Sequence, residues 1–123
     1  MGIRLSKIAF LLGLVLVIIL SLLPPEHLVL KVTTWDKLNH AVAYAMLAFV
    51  GSLGFRHGRP ILFVAVALLV LGAGLEVAQA AVPNRSPSPF DALANLVGII
   101  VGTALAIVAN KARRLFTQSF SSN

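Results

Sequence analysis

Four apolar stretches divide the chain: Ile8–Leu23, Leu38–Phe55, Ile61–Val82 and Phe90–Ala109. Each is close to the length of a membrane crossing, which takes about 20 residues of helix, with leeway where flanking side chains reach back to the headgroups. Lipid offers the backbone no hydrogen-bond partner, so such segments are expected to be helical. The expected architecture is all-α, a single integral membrane domain over residues 1–123 built as a four-helix bundle. The first run is short, but Arg4 and Lys7 can snorkel to the headgroups. Pro24-Pro25 stops it. Pro60 suits the opening of the third helix, where its missing N–H would be unpaired anyway.

Composition agrees with that reading. Of 123 residues, 59% are hydrophobic and 11% charged, and the mean hydropathy of +0.95 is far too high for a soluble domain of this length. There is no cysteine, which excludes disulfides, thiolate nucleophiles, iron–sulfur clusters and Cys-type zinc sites. The first run follows a basic leader, as a signal peptide would. Pro24-Pro25-Glu26 follows it without a small-x-small cleavage signal, so it reads as a retained anchor. Met1-Gly2-x-x-x-Ser6 matches the N-myristoylation pattern, a match ascribed to chance because four spans leave no need for a lipid anchor.

Ten Lys+Arg against four Asp+Glu give a net charge of +6. The basic residues stand in short groups between the apolar runs, which reads as membrane topology and not as a nucleic-acid footprint. No nucleic-acid partner is expected. Lys111, Arg113 and Arg114 are placed to touch anionic lipid headgroups. Counted over the connections, seven Lys and Arg lie on one side (Arg4, Lys7, Arg56, Arg59, Lys111, Arg113, Arg114) and three on the other (Lys31, Lys37, Arg85). The positive-inside rule then puts both termini and the Arg56–Arg59 turn in the cytoplasm, and the loops about Pro24–Trp35 and Pro83–Pro89 outside.

That topology gathers the unusual polar residues at one leaflet. Asp36, Lys37 and His40 begin the second helix there, Glu76 and Gln79 end the third, and Asp91 and Asn95 begin the fourth. Residues three or four apart share a helix face. Asp36, His40 and Tyr44 form one stripe, Glu76 and Gln79 a second, and Asp91, Asn95 and Gly98 a third. Polar stripes that must avoid lipid are expected to face one another. Arg85 is a candidate counter-charge for Glu76 or Asp91. At about 1.5 Å per residue Glu76 is expected roughly 9 Å inward from Val82, a depth that suits a pocket open to the outer leaflet and not a through-pore.

Each of these residues also has a plainer reading. Thr33-x-x-Asp36 and Ser88-x-x-Asp91 match the capping-box pattern, which would occupy the two aspartates at helix starts. His40 would serve as an interfacial side chain, as would Trp35, while His27 and His57 stand in loops. Glu76 lies inside its helix, so it is not expected to cap; its plainer role is a polar clamp with Gln79, Asn95 or Arg85. Gly98-x-x-x-Gly102 is a small-residue packing motif for close contact, either within the chain or between copies in a homo-oligomer. A metal centre is the weaker reading and no cofactor is expected: no two of Asp36, His40, Glu76 and Asp91 form a tight ligand motif, and the nearby Lys and Arg argue against a dication.

Asp36-Lys37-x-x-His40, Glu76-x-x-Gln79, and Arg85 followed by Asp91-x-x-x-Asn95-x-x-Gly98, on four spans in this order, resemble the VanZ-like membrane protein family over about residues 33–102. The resemblance implies a bacterial cytoplasmic membrane and a link to the cell envelope, the family being named for a protein linked to resistance to the glycopeptide teicoplanin. Its pattern carries over to Asp36, Lys37, His40, Glu76, Gln79, Arg85, Asp91 and Asn95. Asn84 stands where such proteins commonly have Gly, a departure that bears on the loop geometry. The expected function is an outer-leaflet pocket that binds or modifies a lipid-linked envelope precursor or a glycopeptide. Lys37 and Arg85 would hold a phosphate or carboxylate, and Glu76, His40 or Asp91 would carry any acid–base chemistry. The alternative is a non-enzymatic scaffold acting through helix contacts.

Overall fold

The computed structural model describes residues 3–24, 36–53, 55 and 58–121. Every regular element among them is a helix: α1 (Ile3–Leu22), α2 (Asp36–Leu53), α3 (Gly58–Gln79) and α4 (Pro89–Ser121). Three are long and apolar enough to cross a membrane: α1 over Arg4–Leu22, all of α3, and α4 over Pro89–Ser119. That marks a membrane protein.

The helix α2 is not among those three. Asp36, Lys37, Asn39 and His40 crowd its first turns and lower its hydropathy. Its position offsets this, because α2 contacts each of the other three helices and makes its most extensive contact with α4, whereas α1 and α4 do not touch among the described residues. Lys37, Leu38 and Asn39 at the start of α2 remain exposed, while His40 is half-buried and Tyr44 is buried on the inward side.

Small residues set how closely α2 and α4 approach. A Cβ built on Gly98 would collide with the carbonyl oxygen of Ala41, and one on Gly102 with that of Ala45. Ala41-x-x-x-Ala45 therefore meets Gly98-x-x-x-Gly102, small stripe against small stripe, and the backbones touch. Both glycines are buried in this contact within the chain. The pairs run in register, from His40 with Asn95 to Ser52 with Asn110, so α2 and α4 are parallel neighbours. The contact of Gly13 with Leu47 and of Gly51 with Phe10 shows α1 antiparallel to α2.

The apolar core lies between these elements. Tyr44, Leu47 and Ala48 of α2, Val64 and Leu68 of α3 and Ile99 of α4 form it, with Phe10, Leu14 and Val17 of α1 packed against it. Phe10, Leu14 and Val17, spaced by four and three, give α1 one inward face. Its other faces expose Leu5, Leu12, Leu16 and Ile19, as befits a surface that meets lipid.

The helix ends depart from expectation in two places. The third helix stops at Gln79 and not near Val82, continuing as tight turns in which Ala80, Ala81 and Val82 donate to Val77, Ala78 and Gln79. Glu76 thus sits in the last turn of α3, closer to the helix end than the apolar run suggested. The fourth helix runs on to Ser121, 33 residues in all, because the residues after Ala109 include good helix formers and neither Gly nor Pro. From Lys111 to Ser119, including Arg113 and Arg114, it is exposed. Asn84 has a φ of 59°, a left-handed conformation that Gly adopts freely and Asn tolerates best among the others. The tight turn is therefore built without Gly.

Candidate functional site

At the end of the molecule where α1 and α3 finish and α2 and α4 begin, four polar side chains from three helices come together. His40 donates from Nδ1 to Asn95 Oδ1 at 3.0 Å, joining α2 to α4. The Ser88 N–H, just before α4, donates to Glu76 Oε2 at 3.1 Å, joining α4 to α3. One ligand atom each of His40, Glu76 and Asp91 lie within 4.8 Å of one another. Glu76, Asp91 and Asn95 are 8%, 6% and 3% exposed, while His40 is half-buried and forms the more open side.

The placement of Glu76 follows from helix electrostatics. A carboxylate in the last turn of α3 stands beside carbonyls that already carry partial negative charge. The start of α4, with unpaired N–H groups and the positive end of its dipole, faces it and reverses that penalty. The expectation that Glu76 has no capping role is corrected: it caps not its own helix but the neighbouring one.

The same bond corrects the capping-box reading of Ser88 and Asp91. In such a box the carboxylate of Asp91 would reach back to the Ser88 N–H, yet that donor is taken by Glu76. Asp91 instead turns inward, and its Oδ1 is enclosed without a hydrogen-bond partner. Lys37 Nζ lies 3.8 Å away, on a side chain 61% exposed, and 5.9 Å from the centre of the Phe90 ring. Lys37 thus stands at the rim, with Asp91 below it.

Two expected members of the site belong elsewhere. Arg85 does not face Glu76 or Asp91; it donates from Nη2 to Leu20 O at 2.8 Å and from Nε to Leu23 O at 3.2 Å. Gln79 donates to Ser21 O at 3.1 Å. The last turn of α1 carries no basic residue of its own, so its free carbonyls find a guanidinium and an amide supplied by the end of α3 and the turn after it. Sequence could not choose between Glu76 and α1 as partners of Arg85, because nothing local records which carbonyls lie near. Arg85→Ala is expected to lower stability by roughly 1–2 kcal/mol, the lower part of the range for charged hydrogen bonds at a half-exposed site. Arg85→Lys, with a single point of donation, should recover only part of it. Thermal unfolding in detergent measures both, and an unchanged melting point for Arg85→Ala would refute this role.

Tyr44 is fully buried beneath the cluster, in the core. Gly72, one turn before Glu76 on α3, leaves room for it: a Cβ there would meet Asn95 Nδ2 at 3.1 Å and Tyr44 Oη at 3.2 Å. Sequence reasoning missed Gly72, although its spacing of four from Glu76 put it on the same face. It also missed the Ser88 N–H and the Ala41/Ala45 stripe, of which only the last had a visible pattern. The side chain of Asp36, with Thr33, Trp35, His27 and His57, lies outside the described residues.

No family model matches the chain, and neither a curated protein nor a solved structure matches it.

Proposed function

We propose that this chain is a multi-pass protein of a bacterial cytoplasmic membrane whose polar cluster binds, or modifies, the polar part of a lipid-linked cell-envelope molecule. The observation that carries the reading is the meeting of half-buried His40 with buried Glu76, Asp91 and Asn95 at one end of apolar helices, where Asp91 Oδ1 receives no hydrogen bond. Polar groups at that depth are costly unless they meet a ligand or one another. Lys37 at the rim suits an anionic headgroup. The excess of seven basic residues to three supports termini in the cytoplasm and a pocket in the outer leaflet. The motif resemblance to VanZ-like proteins supports a glycopeptide-resistance phenotype, teicoplanin being the compound to test.

Extraction and mass spectrometry of lipids held by the purified protein test this reading. Near-stoichiometric retention of a lipid-linked polar molecule is expected, falling at least about tenfold in Asp91→Asn if the carboxylate contributes a charged hydrogen bond. A wild type that holds only bulk phospholipid, in the proportions found for Asp91→Asn, would refute it.

A non-enzymatic scaffold is the second reading, favoured by the ties of Gln79 and Arg85 to α1. Under it, substitutions at Gly98 would harm function more than substitutions at Glu76.

A further inference from the structure

We propose that His40, Glu76 and Asp91 bind a divalent transition-metal cation of the zinc class. The inference rests on the reading of this cluster as a ligand site and names what the site first holds.

Three observations converge on it. The first is composition: one imidazole and two carboxylates, one from each of α2, α3 and α4, present atoms within 4.8 Å of one another. That set is a donor combination for a three-ligand site with an open position. The second is charge. Glu76 and Asp91 are both buried, and two carboxylates so close repel unless a cation lies between them. Arg85 is not that cation, since its guanidinium is turned to α1. Lys37 pairs with Asp91 Oδ1 only from the rim, its ammonium 3.8 Å away and too far to donate a hydrogen bond, so it does not lie between the two carboxylates. An enclosed oxygen with no donor is a cost that a metal ion removes.

The third observation is orientation. The bond from His40 Nδ1–H to Asn95 Oδ1 leaves Nε2 as the nitrogen with the lone pair. Metal-bound histidines are commonly held this way, their second nitrogen donating to a fixed oxygen. Glu76 is likewise held by the Ser88 N–H through one carboxylate oxygen. Asn95 and Ser88 are positioning groups in this arrangement. Imidazole among the donors favours a zinc-class ion over magnesium, which prefers oxygen and keeps its waters.

In sequence, the lack of a tight ligand motif and the nearby basic residues count against a dication. Both points weaken in three dimensions. The ligands come from separate helices, Arg85 is engaged with α1, and Lys37 meets Asp91 only from the exposed rim.

The test uses the full chain without an affinity tag, purified in detergent, stripped with chelator and dialysed against zinc chloride or magnesium chloride. Metal content is read by mass spectrometry. About one zinc per chain is expected, with a zinc-dependent rise in melting temperature and no comparable magnesium uptake. His40→Gln and Asp91→Asn should lose zinc. Asn95→Leu should bind it about 10–100-fold more weakly, as expected for a supporting hydrogen bond. Lys111→Gln, far along α4, should bind as wild type does. Circular dichroism checks that each variant is folded. Zinc uptake equal in wild type, His40→Gln and Asp91→Asn, or equal loading of magnesium, would overturn the assignment. Lipid retention is measured on the stripped sample as well: lipid kept without zinc uptake overturns the metal alone, and loss of both overturns the pocket too.

Discussion

Gly102→Leu is expected to yield protein that no longer holds α4 against α2, with a melting temperature well below wild type in detergent. Even the first added carbon would collide with the Ala45 carbonyl, and a backbone atom cannot rotate aside as a side chain can. Overpacking into mobile side chains costs about 1–3 kcal/mol. Here the helices must separate, so the cost should reach at least the top of that range. Separation would also break the His40–Asn95 bond and the hold of Asn110 on the Ser52 and Phe55 carbonyls. Gly98→Leu should behave alike through Ala41. Gly74→Ala is the control, since a Cβ there meets nothing within 4 Å and helix propensity favours Ala by about 0.5–1 kcal/mol. If Gly102→Leu melted within a few degrees of Gly74→Ala, the close α2–α4 contact would be wrong.

Glu76→Gln and Glu76→Ala are expected to separate two roles of one side chain. Gln keeps an oxygen that can accept from the Ser88 N–H, so α4 should start normally and stability change by less than about 1 kcal/mol. The charge is gone, however, and any ligand that depends on it should be lost. If Glu76 acts as a general base, the rate would fall by about 10²–10⁴-fold. Ala removes the acceptor as well and leaves a buried donor unpaired, which adds about 1–3 kcal/mol of destabilisation. Ligand retention and thermal unfolding measured together on both variants decide the matter. Full ligand retention and phenotype in the Gln variant, with only Ala impaired, would reduce Glu76 to a cap for α4.

The polar end of the molecule was legible as a place before it was legible as a structure. Apolar run lengths located the helices, since period and hydropathy are local properties of the chain. Spacings of three and four put His40 with Tyr44, Glu76 with Gln79 and Asp91 with Asn95. Helix ends were less legible: α3 stops short because its final residues turn toward α4, and Glu76 acquires a capping role only because the start of α4 arrives beside it. Gln79 shares a stripe with Glu76 but contacts Ser21, since neighbouring positions on one face can meet different helices.

What the sequence determined by itself is therefore the class of molecule and the end at which its polar side chains gather. Each of those follows from residues close together in the chain, whose hydropathy and helical phase need no distant partner. Only tertiary structure decided who meets whom: Arg85 with α1, Ser88 with Glu76, and the enclosed Asp91 with His40. These pairings depend on how far small residues such as Gly98, Gly102 and Gly72 let helices approach, and that distance is settled by packing between segments, not within any one of them.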